Sequence, residues 1–167
     1  FWIVATAQRE VPFIFNFIQD LYWKTRTLCD LILKYRKPGF SALIDAEFLS
    51  ACILQRHTNA IVCAHRDDDT KILFERVRWM RSKLPFHVPI NQDGVAGLSF
   101  PDTESSFRVI TAGSADAGRG RDITHLHLSE RASYKDERFL TAIEGACTPN
   151  ARRVIETNLM AAIETVA

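Results

Sequence analysis

The sequence predicts an α/β fold in which a mainly parallel sheet is flanked by helices. Two stretches, 28–33 and 59–65, are continuous apolar runs of the kind found in strands that are buried on both faces. The segment 41–55 between them is apolar on most sides, as expected for a helix that lies against a central sheet. Strands that alternate with helices in this way are typical of parallel sheets.

The rest of the chain continues this alternation. The acidic run 67–69 precedes apolar residues at spacings of three and four, which predicts a helix capped by these carboxylates in preference to a metal site. Asn16 is predicted to cap an earlier helix that ends near Thr25. The further predicted elements are strands at 1–4, 95–100, 107–111, 123–128 and 153–157, an extended segment at 11–16, and a helix at 135–146.

The composition is that of a single globular domain with no strong bias toward one kind of partner. The chain has 167 residues, of which 47% are hydrophobic and 25% charged, close to the average for soluble proteins. The formal net charge is only +1, so the overall charge does not indicate a nucleic-acid or membrane partner. The apolar runs are far shorter than a membrane span.

Neither the cysteines nor the histidines have the spacing of a typical zinc site. The cysteines lie inside apolar patterns and are expected to be small core residues in a reducing compartment. His125 and His127 alternate along a predicted strand and would point to one face, so metal binding there is the less favoured alternative. The four cysteines are Cys29, Cys52, Cys63 and Cys147.

The segment 31–44 has the order of a phosphate-binding loop: an apolar strand, a basic turn with Pro and Gly, and a helix that begins at Ser41. When the pattern G-x-x-x-x-G-K-[ST] is laid on Gly39, Ser41 takes the position of the hydroxyl that binds Mg²⁺. The match is incomplete, because Lys34 stands at the first glycine and Phe40 at the lysine.

Three cations in this loop, Lys34, Arg36 and Lys37, offer a substitute for the missing lysine. A cation elsewhere on the loop can reach the same phosphate oxygens, because phosphate requires a nearby positive charge more than one fixed donor. The alternative is a basic surface turn in which Gly39 supplies only a tight bend.

The predicted strand 123–128 runs directly into Ser129 and Glu130. Ligands of open parallel sheets bind at the carboxyl ends of the strands, so Ser41 and Glu130 would face one crevice. Glu130 is then a candidate for polarising water for in-line attack on a γ-phosphate. Ser129 stands where an Asp would normally support Mg²⁺, which a hydroxyl does only weakly or through water. Taken alone, the pair is also compatible with a polar strand end.

Together, these motifs resemble the ATPase part of the large terminase subunit of tailed bacteriophages, the motor that packages viral DNA. The resemblance covers nearly the whole chain. In the order of the chain, the matching segments are the adenine-recognition segment at 11–19 with Gln19 as its glutamine, the variant phosphate loop at 33–43, the second motif at 126–132, and the coupling motif at 154–157 with the hydroxyl of Thr157.

The resemblance implies a P-loop NTPase of the ASCE type, with an adenine-recognition segment at 1–26 and an ATPase core at 27–167. It implies ATP and Mg²⁺ as cofactors and ATP hydrolysis coupled to translocation of double-stranded DNA into a procapsid. The implied partners are double-stranded DNA, the portal protein, the small terminase subunit and further copies in a ring, in the host cytoplasm and transiently on the procapsid, with no membrane.

The chain begins without Met and stops in a helix-like run, so it is expected to be part of a longer protein. The nuclease domain of the family is not in this sequence, and DNA cleavage is not expected from it.

The resemblance also assigns roles to particular residues. Glu130 is the catalytic carboxylate, assisted by Arg36 and by an arginine finger in Gly118-Arg-Gly-Arg121, with Arg119 as the first choice and Arg121 as the second. The alternative for that segment is a flexible basic loop, and for Gln19 a solvated side chain. The metal ligands are Ser41 and Ser129, and the nucleotide-binding residues are Gln19, Lys34, Arg36, Lys37, Gly39, Phe40, Ser41 and Ala42.

Several departures from the family pattern leave other functions open. Lys37 replaces a common Gln, Ala42 a usual Thr, and Asn158 a second hydroxyl or small residue, and no Gly-containing turn follows Thr157. A helicase-like DNA-dependent ATPase is one alternative, but it would require Gly-Lys-Thr and Asp-Glu motifs, and both are missing. A nucleotide-binding or assembly module without hydrolysis is the other, favoured by Phe40 and Ala42 and by Ser129 in place of an Asp.

Overall fold

The computed structural model describes residues 2–6, 9–35, 38–92, 97–114 and 122–158. Nine strands and four helices are formed by these residues. The strands are β1 (Trp2–Thr6), β2 (Arg9–Pro12), β3 (Cys29–Lys34), β4 (Asn59–Ala64), β5 (Asn91–Gln92), β6 (Gly97–Phe100), β7 (Ser105–Thr111), β8 (Ile123–Ser129) and β9 (Cys147–Asn158). The helices are α1 (Phe17–Thr25), α2 (Phe40–Leu54), α3 (Asp67–Ser82) and α4 (Glu137–Gly145), and a single 3₁₀ turn spans Arg131–Ser133.

Seven of these strands form one sheet in the order β3-β9-β8-β4-β7-β6-β5. The first five strands in this order, β3, β9, β8, β4 and β7, are parallel to one another. The strands β6 and β5 continue the sheet, each antiparallel to its neighbour. The predicted α/β fold with a mainly parallel sheet is therefore confirmed. The carboxyl ends of the parallel strands lie along one edge, where α/β proteins bind their ligands. A separate antiparallel pair is formed by β1 and β2.

Both faces of the sheet are covered at β4, which explains the continuous apolar sequence of this strand. At the edge strand β3 the expectation of burial on both faces is wrong, since Leu31 and Leu33 are exposed. Val62 faces a core cluster built from α2, α3 and the neighbouring strands. Cys63 faces a second cluster that contains Phe139 and Ile143 of α4. A strand between two helical layers has no solvent-facing side, so every second residue need not be polar.

Most predicted elements lie within a few residues of the observed ones. The acidic run lies in the first turn of α3, but the residue at the N-cap is Arg66, which makes no side-chain capping hydrogen bond. The main difference is β9, which was predicted at 153–157 but begins at Cys147. Its pairing with β8 is irregular between Ile123 and His125, so the turn-like residues 148–150 are accommodated within the strand. The two-residue strand β5 was not predicted.

The expectation that all cysteines are core residues is wrong for Cys29, which is exposed on the edge strand β3. Cys52 and Cys63 are buried, as expected. No group of three or more His, Cys, Asp or Glu side chains in the described ranges is arranged to hold a metal ion. Within the same ranges, no helix combines the length and the apolar character that crossing a membrane requires.

Candidate nucleotide site

The N-terminus of α1 is fixed to the loop that precedes α2. Asn16 and Gln19 form a capping box, in which each side chain accepts a hydrogen bond from the backbone N–H of the other, at 2.9 and 3.0 Å. The same two side chains donate to the loop: Asn16 Nδ2 to the carbonyl of Pro38 at 3.1 Å, and Gln19 Nε2 to the carbonyl of Gly39 at 3.0 Å. Gln19 is buried, so the alternative of a solvated glutamine is wrong.

Gly39 ends the loop in a conformation that suits glycine. Its φ of 78° lies in the left-handed region, and a Cβ at this position would lie 2.8 Å from Gln19 Nε2. The chain then enters α2 at Phe40. Gly39 therefore supplies both the turn and the close approach of the backbone to Gln19.

Phe40 occupies the position of the lysine in the usual pattern, but its side chain belongs to the core. The ring is buried and packs edge-to-face on Tyr22, with 5.4 Å between the ring centroids. Any contact of Phe40 with a nucleotide is thus limited to its backbone N–H, and the same holds for Ala42, which has no polar side-chain atom. The first N–H groups of α2, a helix of 15 residues without an acidic residue in its first turn, favour an anion at this end.

The carboxylate of Glu156, on β9, lies at the centre of the site and has no solvent exposure. Its Oε1 accepts hydrogen bonds from Lys34 Nζ at 3.0 Å and from Ser129 Oγ at 3.1 Å, and also from Ser41 Oγ. The sheet register causes this convergence, since Glu156 pairs with Ser129 on one side, while Lys34 ends β3 on the other. Ser41 approaches from the first turn of α2.

Glu130 follows β8 directly and has a left-handed backbone conformation, with φ of 58° and ψ of 46°. This conformation is uncommon for a residue with a side chain and often occurs at functional sites. Glu130 Oε2 accepts a hydrogen bond from the backbone N–H of Asn158 at 3.1 Å, and Oε1 lies 3.4 Å from Lys34 Nζ. Lys34 is therefore held between the carboxylates of Glu130 and Glu156.

Behind Glu156, a chain of alternating charges leads away from the site. His127 Nε2 lies 3.7 Å from Glu156, its Nδ1 lies 3.9 Å from Asp45, and Asp45 accepts a hydrogen bond from Arg76 at 3.2 Å. Burial alone would lower the pKa of His127, but the two carboxylates outweigh this and raise that pKa to about 9. Burial alone would raise the pKa of Glu156, but His127 and Lys34 lower it to about 2. Both groups are therefore charged at neutral pH.

Thr157, the residue after Glu156, connects the end of β9 with the segment that follows Glu130. Its hydroxyl is buried and accepts a hydrogen bond from the backbone N–H of Ala132 at 3.3 Å. Together with the contact between Glu130 and Asn158, this fixes the end of β9 to the 3₁₀ turn by two hydrogen bonds.

The structure thus brings together most of the residues predicted for the site. Four of them lie outside the described residues: Arg36, Lys37, Arg119 and Arg121. Gln19, Lys34, Gly39, Ser41, Ser129, Glu130 and Thr157 are grouped around the carboxyl ends of β3, β8 and β9.

Sequence reasoning missed Glu156, His127 and Asp45. The position of Glu156 next to Thr157, in a strand predicted to end at the site, was the available signal for it. No signal was available for Asp45, which lies within an apolar helix.

Two adjoining cavities of about 350 and 790 Å³ lie elsewhere, beside α1 and the C-terminal half of α2. Both are lined by Trp23, Arg26, Glu47 and His125, among others. Neither includes a residue of the site described above.

The parallel sheet and the helix that starts beside its carboxyl edge have the fold expected of a P-loop NTPase domain. No protein-family model and no curated protein sequence matches the chain. Among solved structures, the chain is similar to the large terminase of bacteriophage HK97, with a TM-score of 0.71 and 19% identity over 94% of this chain and 35% of that one.

It is also similar to an ATPase-domain variant of the Thermus phage P74-26 large terminase, with a TM-score of 0.68 and 17% identity over 85% of this chain and 64% of that one. The large terminase of another thermophilic bacteriophage, in complex with ATP-γ-S, matches with a TM-score of 0.59 and 10% identity, over 81% of this chain and 35% of that one. The chain spans between about a third and two thirds of the length of these structures. It has the fold of the large terminase ATPase domain, as the sequence motifs predicted.

Proposed function

We propose that this chain is an Mg²⁺-dependent ATPase module of a viral DNA-packaging motor, in which ATP hydrolysis drives translocation of double-stranded DNA into a procapsid. One observation carries the proposal. Lys34, Ser41 and Glu130 meet at the carboxyl edge of the parallel sheet, beside the N-terminus of α2. The fold that this chain shares with large terminases supports the same function.

Each group has a role that suits its contacts. Lys34, together with Arg36, holds the phosphates, because its ammonium contacts the same carboxylate oxygen as Ser41 in the first turn of α2 and so lies beside the helix N-terminus. The N–H groups at the start of α2 bind phosphate oxygens. Gln19 recognises adenine, while its contact with the carbonyl of Gly39 fixes the loop.

The donor set fits Mg²⁺. Hydroxyl and carboxylate oxygens are the ligands that Mg²⁺ takes in proteins, usually one or two from the protein with the remainder from phosphates and water. Ser41 is the proposed ligand, and Ser129 supports it through water. When bound, the ion neutralises charge that develops on the phosphates.

Glu130 orients and polarises the attacking water. It is more than a third exposed, it follows the strand end directly, and the N–H of Asn158 fixes one of its oxygens. An arginine from a neighbouring copy, Arg119 or else Arg121, supplies positive charge to the transition state, which is worth ~10³ to 10⁵ in rate for such fingers.

Coupling uses the contacts at the end of β9. Any movement of Glu130 is transmitted to Asn158, and Thr157 is bonded to the turn after Glu130, so the state of the phosphates influences the segment that follows β9. In the proposed assembly, the module acts in a ring on the procapsid in the host cytoplasm. Its partners there are double-stranded DNA, the portal protein and the small terminase subunit.

A second candidate is a module that binds nucleotide without hydrolysing it. The specific observation in its favour is that β8 offers the hydroxyl of Ser129 where hydrolases of this class carry an Asp. A helicase-like ATPase is less well supported, since its Gly-Lys-Thr and Asp-Glu motifs are missing from the sequence.

Phosphate release from Mg·ATP, measured over a range of protein concentrations, tests the proposal. We expect turnover per molecule to rise with concentration and Glu130→Gln to reduce it by at least ~100-fold while ATP still binds. The matched control is Glu75→Gln on the exposed face of α3, which should leave turnover unchanged. Equal turnover in the wild type and Glu130→Gln would refute the role of Glu130. ATP binding without turnover in either protein would favour the second candidate.

A further inference from the structure

The site contains a carboxylate that the proposed roles do not use. Large, buried and charged, Glu156 is expensive to keep in a protein interior unless its charge is matched. Its Oε1 accepts hydrogen bonds from both hydroxyls assigned to the metal, Ser41 and Ser129. A carboxylate in contact with the Ser of the phosphate loop is the arrangement expected of the metal-supporting Asp in this class of hydrolase.

We propose that Glu156 supplies, from β9, the Mg²⁺-supporting carboxylate that β8 lacks at Ser129. The inference rests on the proposed nucleotide-binding function and deepens it, because it names the acidic group of the metal site. It also removes the main difficulty raised by the sequence, in which a hydroxyl stood alone in place of an Asp.

The sheet register explains how a different strand can provide this group. Ser129 and Glu156 are directly paired on the adjacent parallel strands β8 and β9. A side chain on either strand can therefore reach the same region beside Ser41, and Glu is longer than Asp by one methylene. The distance of 3.1 Å between Ser129 Oγ and Glu156 Oε1 shows that the two positions already meet.

Two further observations favour a cation as the partner of Glu156. Its second oxygen, Oε2, is buried and has no hydrogen-bond partner within the part of the chain that the structure describes. In addition, the ammonium of Lys34 already lies between Glu156 and Glu130, at 3.0 and 3.4 Å. When Lys34 turns to the phosphates, this pair of carboxylates loses its cation, and a divalent ion matches the charge that remains.

Residues behind Glu156 hold it in place as the outer shell of a metal site does. The imidazole of His127 lies 3.7 Å from Oε1 of Glu156, the oxygen that Ser41 and Lys34 also contact, and Asp45 and Arg76 continue the alternation of charge. Outer-shell groups of this kind orient the inner carboxylate, and their loss typically costs 10- to 100-fold in metal affinity.

The test measures the dissociation constant of ATP with Mg²⁺ and with EDTA in the wild type and in Glu156→Gln. The ratio of the two constants gives the contribution of Mg²⁺, and it does not depend on hydrolysis. We expect the ratio to fall at least ~10-fold in Glu156→Gln, with ATP binding in EDTA retained because Lys34 is still available to the phosphates. Binding of Mn²⁺ in the presence of ATP, followed by electron paramagnetic resonance, should weaken in parallel.

The decisive variant moves the carboxylate back to β8. Ser129→Asp in the Glu156→Gln background should restore most of the Mg²⁺ contribution, because the two positions are paired and the hydroxyls of Ser129 and Ser41 contact the same oxygen of Glu156. Should Glu156→Gln fail to fold, His127→Gln/Glu156→Gln replaces it as the background. That double variant leaves the pairs Lys34–Glu130 and Asp45–Arg76 balanced in charge.

An unchanged ratio in folded Glu156→Gln would overturn the inference, as would failure of Ser129→Asp to raise the ratio in a folded background. Failure of the proposed function has a different signature. In that case the wild type itself would bind ATP no better with Mg²⁺ than with EDTA, and the inference would fall with it.

Discussion

The contact between Gly39 and Gln19 leads to a prediction about stability, and Gly113 in the same chain provides the control. Replacement of Gly39 by Ala puts a Cβ in a left-handed residue and 2.8 Å from Gln19 Nε2. Gly113 also has a left-handed φ, of 85°, but nothing lies within 4 Å of its added Cβ. The two substitutions therefore share the backbone cost and differ in the contact with Gln19.

The difference can be worked out from the hydrogen bonds involved. The left-handed conformation costs an alanine roughly 1–2 kcal/mol at either position. At Gly39, the amide of Gln19 must also move away, which weakens its bonds to the carbonyl of Gly39 and the N–H of Asn16. Such bonds contribute about 1 kcal/mol each. We expect Gly39→Ala to lower the free energy of unfolding by about 1–2 kcal/mol more than Gly113→Ala.

Urea unfolding of the two variants gives this difference from the midpoints, provided that the slopes agree with the wild type. A double-mutant cycle with Gln19→Ala isolates the contact, since the extra cost of Gly39→Ala should disappear in that background. Equal costs for the two glycine substitutions would refute the reasoning. So would an extra cost that persists without the Gln19 side chain.

Three further substitutions test the network and the site. Arg152→Gln should destabilise the fold by about 3 kcal/mol in urea unfolding, because the buried guanidinium pairs with Glu47 at 3.1 Å and with Asp30 at 2.7 Å and its loss leaves two largely buried carboxylates with less positive charge beside them. Burial, and after it the charge of Arg152, lower the pKa of His125 to about 4 in the folded protein. The unfolded chain therefore binds this proton at a higher pH than the folded protein, and stability falls as the pH decreases from about 6.5 to about 4. His125→Gln should remove this part of the pH dependence of stability. Thr157→Val should leave the ATP dissociation constant within about threefold while reducing turnover, because the bond that its hydroxyl makes among the described residues is to the turn after Glu130.

Each of these has a control and a result that would count against it. Arg152→Lys keeps the charge but not the planar fork, so it should fall between the wild type and Arg152→Gln, and an equal loss would contradict the ion-pair explanation. An unchanged acid profile in His125→Gln would exclude that histidine as the titrating group. For Thr157→Val, Thr141→Val on the exposed face of α4 is the matched control, and a loss of ATP binding in Thr157→Val would argue against a coupling role.

The sequence predicted those parts of the site that follow apolar runs. Lys34 and Glu130 come directly after strands that are apolar enough to be recognised, and the ends of such strands meet at one edge of a parallel sheet. The helix at Ser41 was recognised for the same reason. Local pattern and sheet geometry were sufficient for these residues.

Glu156 required information that the local pattern does not contain. Its role depends on β9 lying between β3 and β8, with Glu156 in register with Ser129, and both are properties of the folded sheet. His127 is similar, because its partners Asp45 and Glu156 come from α2 and β9. The coupling motif assigned a role to the hydroxyl of Thr157 but none to the carboxylate of Glu156 beside it.

For Phe40, the motif pattern indicated a position in the loop but not the environment of the side chain. The pattern placed it where a lysine would reach phosphate, but an aromatic ring next to Tyr22 gains more from burial in the core. In the proposed site, the positive charge for the phosphates comes instead from Lys34, at the end of the preceding strand.

The structure of this chain in complex with ATP-γ-S and Mg²⁺ would test most directly where the nucleotide binds. We predict that the terminal phosphate contacts Lys34 and the N–H groups at the start of α2, with the ion beside Ser41 and Glu156. A nucleotide bound elsewhere, for example in the cavities beside Trp23, would contradict the proposed site. So would phosphates at the start of α2 with Lys34 still held between Glu130 and Glu156, since the cation assigned to them would then have no part in binding.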